Sequence, residues 1–245
     1  MKEYEFLSVD SLVLEVTRRC NMHCAHCLRG DAECVDMQKE TIEKLLPMLQ
    51  SVSEVTFTGG EPTLNLDIIE YFFRRMKEVH GYTPAFFVAT NGTGRDRQLR
   101  LCTILMEAYL DCEEKEGCGL AISEDMFHDE DDRCEIAKAL TFYCTSKERL
   151  SNDHWVIAEG RALEHGYEPS SRDRMQLNPK PEISVYTSNT GEVRMDVELL
   201  YISAKEEVVG CCDLSYEDIA ENCLCSLDEL PAYAEKLYQE ETADE

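Results

Sequence analysis

The apolar residues of this chain keep two rhythms in alternation. Over residues 11–18, Leu12, Val13, Leu14 and Val16 form a dense run that predicts a buried strand. At 38–50 the run QKETIEKLLPMLQ has Ile42, Leu45, Leu46 and Leu49 at helical spacing, with Pro47 placed to bend or shorten the helix. EVTFTGGEP is a short β-rich run ending in a double glycine. Leu66 to Val79 returns to the helical period through Ile69, Phe72, Phe73 and Met76. Ala85 to Ala89 predicts a third strand, 96–112 a helix and Cys118 to Ile122 a fourth strand. A helix over 131–145 and a fifth strand from Trp155 to Ala158 complete the series. This is the βα rhythm of a parallel sheet with helices outside. Residues of chemical interest cluster just after strands, the edge that carries active sites in barrels and open α/β sheets.

From Pro169 to Pro181 the pattern dissolves into polar loop. Ile183 to Thr187 and Glu192 to Met195 then predict two short strands around a tight turn at Asn189 to Gly191, a hairpin rather than another βα unit. Tyr216 to Asn222 and Leu227 to Tyr238 are amphipathic. The expected division is a core over 1–168 and a hairpin-plus-helix extension over 169–245 that completes or covers it.

Composition narrows the function classes. At 245 residues, 43% hydrophobic, the chain can bury a sizeable core. Its 24 basic and 50 acidic residues give a net charge of -26, which argues against a nucleic-acid backbone as the main partner. Such a surface keeps a protein soluble, and it also attracts a basic peptide. No run of eighteen apolar residues predicts a membrane span, and MKEYEFLSVD lacks the apolar stretch of a signal peptide, so a cytoplasmic location is expected. No GxGxxG follows the first strand, so a dinucleotide fold is unsupported.

Thirteen cysteines are unevenly spread, with one group at 20/24/27 and another at 211/212/223/225. Most of the other six, Cys34, Cys102, Cys112, Cys118, Cys134 and Cys144, read as buried small hydrophobes or inert thiols. In CNMHCAHCLRG, Cys20, Cys24 and Cys27 follow the first strand. Three close thiolates suit a soft metal ion or an iron–sulfur cluster. With His23 or His26 as a fourth ligand, spacing alone admits zinc. A cubane held by the three cysteines would instead leave one iron open.

At these residues the chain resembles the radical S-adenosylmethionine (SAM) superfamily. The resemblance is carried by Cys20, Cys24 and Cys27, by the trailing Leu28 to Gly30, by GGEP at Gly59 to Pro62 after the second strand, and by TNG at Thr90 to Gly92 after the third. It covers about 11–165. It implies a partial (β/α)6 TIM-type barrel, here with a small C-terminal hairpin and helical extension. It also implies a [4Fe–4S] cluster whose open iron is chelated by SAM, and a reducing electron donor such as flavodoxin or ferredoxin. One departure is His26, where most members carry an aromatic residue near the adenine; imidazole is flat and can stack or hydrogen-bond.

The same resemblance marks the cofactor-binding candidates. Gly59, Gly60, Glu61 and Pro62 meet the methionine amino group, Glu61 directly or through its backbone turn. Thr90 and Asn91 line the pocket. Ser123 suits the methionine carboxylate, and Asp125 the ribose hydroxyls, since a carboxylate facing a carboxylate would repel. Arg161, after the fifth strand, pairs with the methionine carboxylate or a substrate acid. No residue is assigned as catalytic.

The second cysteine group, Cys211, Cys212, Cys223 and Cys225, offers ligands for an auxiliary cluster or zinc, or stays as thiols; its spacing does not match the usual seven-cysteine auxiliary domain. A ribosomally made peptide, epimerised or cross-linked, is the leading substrate expectation. The alternatives are a small molecule such as a nucleotide, sugar or amino acid, or a glycyl-radical partner protein. A purely structural iron–sulfur or zinc module leaves GGEP and TNG unexplained.

Overall fold

The structure is a computed structural model that describes residues 5–124, 127–128, 134–144, 156–167 and 182–243. β1 (Leu7–Thr17), α1 (Lys39–Leu45), β2 (Leu49–Gly59), α2 (Leu66–His80), β3 (Ala85–Thr90), α3 (Arg95–Asp111) and β4 (Gly119–Ile122) follow the predicted βα order. β1 to β4 pair in parallel and in sequence, with Leu14 opposite Phe57, Phe57 opposite Val88, and Val88 opposite Leu120. α1 stops where Pro47 enters a single 3₁₀ turn, as a proline without an N–H dictates, and β2 begins at Leu49. α2 ends at Gly81, whose φ of 77° is the left-handed cap that glycine adopts without strain.

The later elements differ from expectation in three places. Residues 156–158 are irregular, so the described part of the predicted fifth strand is not a strand. The described part of the predicted 131–145 helix is one 3₁₀ segment, Glu135–Ala139, followed by a turn. The second hairpin strand is far longer than Glu192 to Met195: β5 (Ile183–Thr187) pairs antiparallel with β6 (Val193–Ile202), and β6 lies parallel to β1. After α4 (Gly160–Glu164) and that hairpin come β7 (Glu207–Val209), α5 (Tyr216–Glu221), β8 (Cys225–Ser226) and α6 (Leu230–Ala243).

The result is an α/β fold with one mixed sheet in the order β4-β3-β2-β1-β6-β7-β8, with β5 on the outer side of β6. One face of the sheet packs against α1, α2, α3 and α6 and holds the main core. Within it Phe57, Phe72, Phe73 and Phe86 meet edge to face at 5.3–6.0 Å, the geometry aromatic rings prefer. The other face near β1 and β6 is covered by the segment after β7, through Val13, Tyr201, Val209, Cys211, Leu214, Tyr216 and Ile219. Thus the extension shares a sheet with the core instead of standing apart from it. Among the described residues no helix is long and apolar enough to cross a membrane.

Candidate functional site

The cysteine loop leaves the C-terminal end of β1, and its first residues are held from the side by GGEP. Gly60 N–H donates to the Thr17 carbonyl at 2.9 Å and Glu61 N–H to the Arg19 carbonyl at 2.8 Å. A Cβ on Gly59 or Gly60 would collide with those carbonyls, and Gly59 has φ 145°. The double glycine therefore lets two backbones touch immediately before Cys20. Arg19 is fixed in turn, through Nε to Asp36 at 2.8 Å and through its guanidinium to the Leu64 carbonyl at 2.7 Å.

Glu61 is the hub of the site. Its side chain is 2% exposed, and its carboxylate accepts from Thr63 N–H, Thr63 Oγ1 (2.6 Å), Thr90 Oγ1 (2.7 Å) and Asn91 N–H (2.9 Å). A buried carboxylate needs such donors, and here they tie GGEP to TNG. Pro62 starts the 3₁₀ turn over Pro62–Asn65 that Glu61 caps. Gln98 donates to Thr90 Oγ1 at 2.8 Å, and Asn91 Nδ2 donates to Asn21 Oδ1 at 3.0 Å. Asn21 completes the circuit by donating to Thr93 Oγ1 at 2.7 Å. Residues 17–21, 59–63 and 90–93 are thus one hydrogen-bonded unit.

On the other flank, Gly160 packs so closely on Leu28 and Gly30 that a Cβ there would overlap their backbone, and Ala162 N–H donates to the Cys27 carbonyl at 3.3 Å. Arg161 is 3% exposed and binds His23 Nδ1 and, at 3.3 Å, Asp31. Its Nε is buried with no partner among the described residues. His26 stacks on Phe127 at 4.1 Å, and Phe127 meets Tyr167 edge-on at 6.1 Å. Cys24 Sγ lies 3.9 Å from His128 Nε2. Ser123 follows β4 and donates its backbone N–H to the Thr90 carbonyl at 2.8 Å, which sets it beside the TNG turn. Asp125 lies outside the described residues.

Cys20, Cys24 and Cys27 are half-buried free thiols. Burial raises the Cys20 pKa, a Met22 N–H bond to its sulfur opposes this, and Glu61, Cys27 and Cys24 raise it further, so the three sulfurs share one electrostatic neighbourhood. Among the described residues no three His, Cys, Asp or Glu side chains converge on a single ion. Three soft, half-buried thiols on one loop, whose negative charge a metal centre would offset, suit a soft metal ion or an iron–sulfur cluster.

The second cysteine group separates. Cys212 neighbours Cys211, Asp213 and Arg29, whereas Cys225 neighbours Cys223 and Glu229. Burial, aided by Asp213 at Cys212 and by Cys223 at Cys225, pushes both thiols up to about 12. Sequence reasoning missed Asn21, Thr63, Thr93 and Gln98: Asn21 finds its partners some 70 residues on, whereas Thr63 and Thr93 bond Glu61 and Asn91 two residues away and were legible as local side-chain turns. A cavity of about 180 Å³ between Phe6, Val193 and the start of α6 lies at the opposite end of β1 from the cysteines.

The cysteine loop, GGEP and TNG all lie in a stretch that matches a known family. The radical SAM superfamily pattern matches residues 14–111, and that stretch is a radical SAM catalytic domain. GTP 3',8-cyclase of Chlorobaculum tepidum is 38% identical over 108 residues, covering 42% of this chain and 31% of that protein. GTP 3',8-cyclase of Limosilactobacillus fermentum is 32% identical over 97 residues, covering 37% and 28%. The chain thus matches about a third of the length of these curated relatives. Streptococcus suis SuiB bound to precursor peptide SuiA covers 85% of this chain and 61% of that one, at 12% identity and a TM-score of 0.36, too loose a superposition to carry an argument.

Proposed function

We propose that the chain is a radical SAM enzyme in which Cys20, Cys24 and Cys27 hold a [4Fe–4S] cluster. The observation that carries this is the three-thiol loop locked by the Glu61 hub to GGEP and TNG. When bound, the cluster and SAM together supply a 5′-deoxyadenosyl radical that takes a hydrogen atom from substrate. The protein's own task is to bind, orient and keep water out.

Glu61 spends its carboxylate on four protein donors, so its backbone and that of Gly59 and Gly60, not its side chain, are left to meet the methionine ammonium. Thr90 and Asn91 form the adjoining wall, with Ser123 beside them and Asp125 assigned to the ribose. Arg161 holds a buried positive charge beside the loop and suits a carboxylate, from methionine or from substrate. His26, flat against Phe127, suits the adenine. A partial barrel completed by the extension is the architecture this reading implies.

For substrate, the curated relatives support a small molecule of the nucleotide class over a peptide, because several of the proteins matched by sequence are GTP 3',8-cyclases. A basic peptide remains the second reading, favoured by the net charge of -26. Anaerobic incubation with SAM and dithionite, or with reduced flavodoxin or ferredoxin, tests both. Methionine and 5′-deoxyadenosine are expected, increasing when nucleotides are added, with mass spectrometry identifying the product. No SAM cleavage by cluster-loaded protein would overturn the enzyme reading. Stimulation by basic peptides alone, lost steeply with salt because the field is screened over about 8 Å, would replace the first substrate class with the second.

A further inference from the structure

The face of the sheet turned away from α1, α2 and α3 is covered over only part of its width. The register fixes which side chains it carries. Val13 pairs with Thr56, Thr56 with Phe87 and Phe87 with Gly119. One row nearer the cysteine loop, Glu15 pairs with Thr58 and Ala89 with Ala121. Over β1 and β6 this face is closed by Leu214, Tyr216 and Ile219. Over β2 and β3 it is open: Thr56, Thr58 and Phe87 are half-buried, and Ala89 is exposed. The residues that alternate with them, Val55, Phe57, Phe86 and Val88, face the helices and are fully buried. β2 and β3 have a neighbour on each side, so the opening is not that of a sheet edge.

In a chain of net charge -26, these open positions carry no charged side chain; Glu54 stands one row further from the cysteine loop, beside Ala85. Phe87 supplies their aromatic ring. It has no ring against it among the described residues, whereas Phe86 on the other face meets Phe73 and Phe142 at 5.6 and 5.4 Å. Phe87 lies over Gly119: a Cβ there would fall 2.7 Å from its Cδ2, so the glycine makes room for the ring. Thr56 and Thr58 stand alongside, and their hydroxyls make no hydrogen bond among the described residues. The open area also runs into the wall assigned to SAM, since Thr58 precedes Gly59 and Ala89 precedes Thr90. At the rise of a strand, Phe87 lies about 10 Å from Thr90.

We propose that this open face seats the substrate and that Phe87 is its specificity-determining residue, the platform on which a neutral planar ring, the base of a nucleotide, stacks. The sugar then runs over Ala89 toward the cysteine loop. The inference rests on the nucleotide reading of the substrate. An aromatic face gains from a flat partner and asks no charge of it. The threonine hydroxyls, each able to donate and accept, suit the polar edge of such a ring. The covered part of the same face offers no seat of this kind, because its polar groups are already joined, Tyr201 donating to Glu15.

The test uses the full-length, cluster-loaded protein with SAM and the probe 2-aminopurine riboside triphosphate, whose fluorescence falls when its base stacks. Wild type is expected to bind the probe with such a fall, and GTP to reverse it by competition. Phe87→Leu should bind about tenfold more weakly and lose most of the quench. Phe87→Tyr, which keeps the ring, should retain both. Ala89→Leu adds bulk at an exposed position without touching the core, and should weaken binding at least as much by filling the seat. Unchanged affinity in Phe87→Leu or in Ala89→Leu overturns the inference. So does wild type that binds the probe without quenching it, a result that depends on no variant folding. Wild type that binds neither the probe nor GTP sinks the nucleotide reading, and the inference falls with it.

Discussion

The two cysteine groups of this chain are made of the same side chain at similar density, and the fold treats them differently. Cys20, Cys24 and Cys27 share one loop whose backbone is braced by Thr17, Arg19 and Gly60 on one flank and Gly160 and Ala162 on the other. Each of the three registers in the electrostatics of one site. Cys211 and Cys212 instead join the apolar cover over Val13 and Tyr201, while Cys223 and Cys225 sit at the β7–β8 edge, where Val208 pairs with Cys225. Burial pushes the thiols of Cys212 and Cys225 up to about 12, and the four tail cysteines lie on two different packing surfaces instead of one loop. Proximity in sequence makes a ligand set only where the backbone between the ligands is held by something else.

The largest effect separates the groups outright. Cys20, Cys24 and Cys27 changed together to Ala should abolish specifically bound iron after reconstitution, whereas Ala at 211, 212, 223 and 225 should leave iron and the cluster signal unchanged. Iron and sulfide analysis of the two variants measures this, and iron kept by the triple variant would reverse the assignment.

Next comes the hub that only the first group possesses. Glu61→Gln puts an amide among four donors, and the lost charge-assisted bonds should cost about 2–3 kcal/mol, read as a fall in Tm of roughly 4–12 °C. A melting curve like that of wild type would show that the hub does not brace the loop. Asn21→Ala removes the tie to Asn91 and Thr93 and should weaken SAM binding by about fivefold, near 1 kcal/mol, in equilibrium titrations of the loaded protein.

The smallest effect concerns the seam between core and cover. Glu159, just before α4, faces Asp218 on α5; burial and then this carboxylate raise its pKa from 4.5 to about 7. An acid raised in the folded state holds its proton more tightly when folded. Its contribution to stability is therefore complete below about 4.5 and is lost as pH rises through about 7. Glu159→Gln should flatten that part of the pH–Tm profile and slightly raise Tm at pH 8. A parallel profile in the variant would place the pH dependence elsewhere.

Much of the first half of the fold was legible because its signals are local. Ile69, Phe72, Phe73 and Met76 lie on one helical face whatever surrounds them, and Pro47 shortens α1 by chemistry confined to its own turn. Failures came where neighbours decide. The predicted fifth strand has no partner strand in the described residues, and Val193–Ile202 is long because β1 and β5 flank it.

Sequence by itself determined the strand–helix order through α3, the cysteine loop after β1, and the glycines that allow GGEP to touch it. These follow from periodicity, ligand spacing and the missing Cβ, each a property of a few consecutive residues. Only the tertiary structure decided that Glu61 is satisfied by Thr90 and Asn91, that β6 lies beside β1, and that the tail cysteines part into two pairs. Each of these is a contact across long stretches of chain or a matter of which partner is nearest once the sheet has formed. A hydrogen bond is specified by two residues at once, and where they are as far apart in the chain as Glu61 and Thr90, nothing local in the sequence ties one to the other.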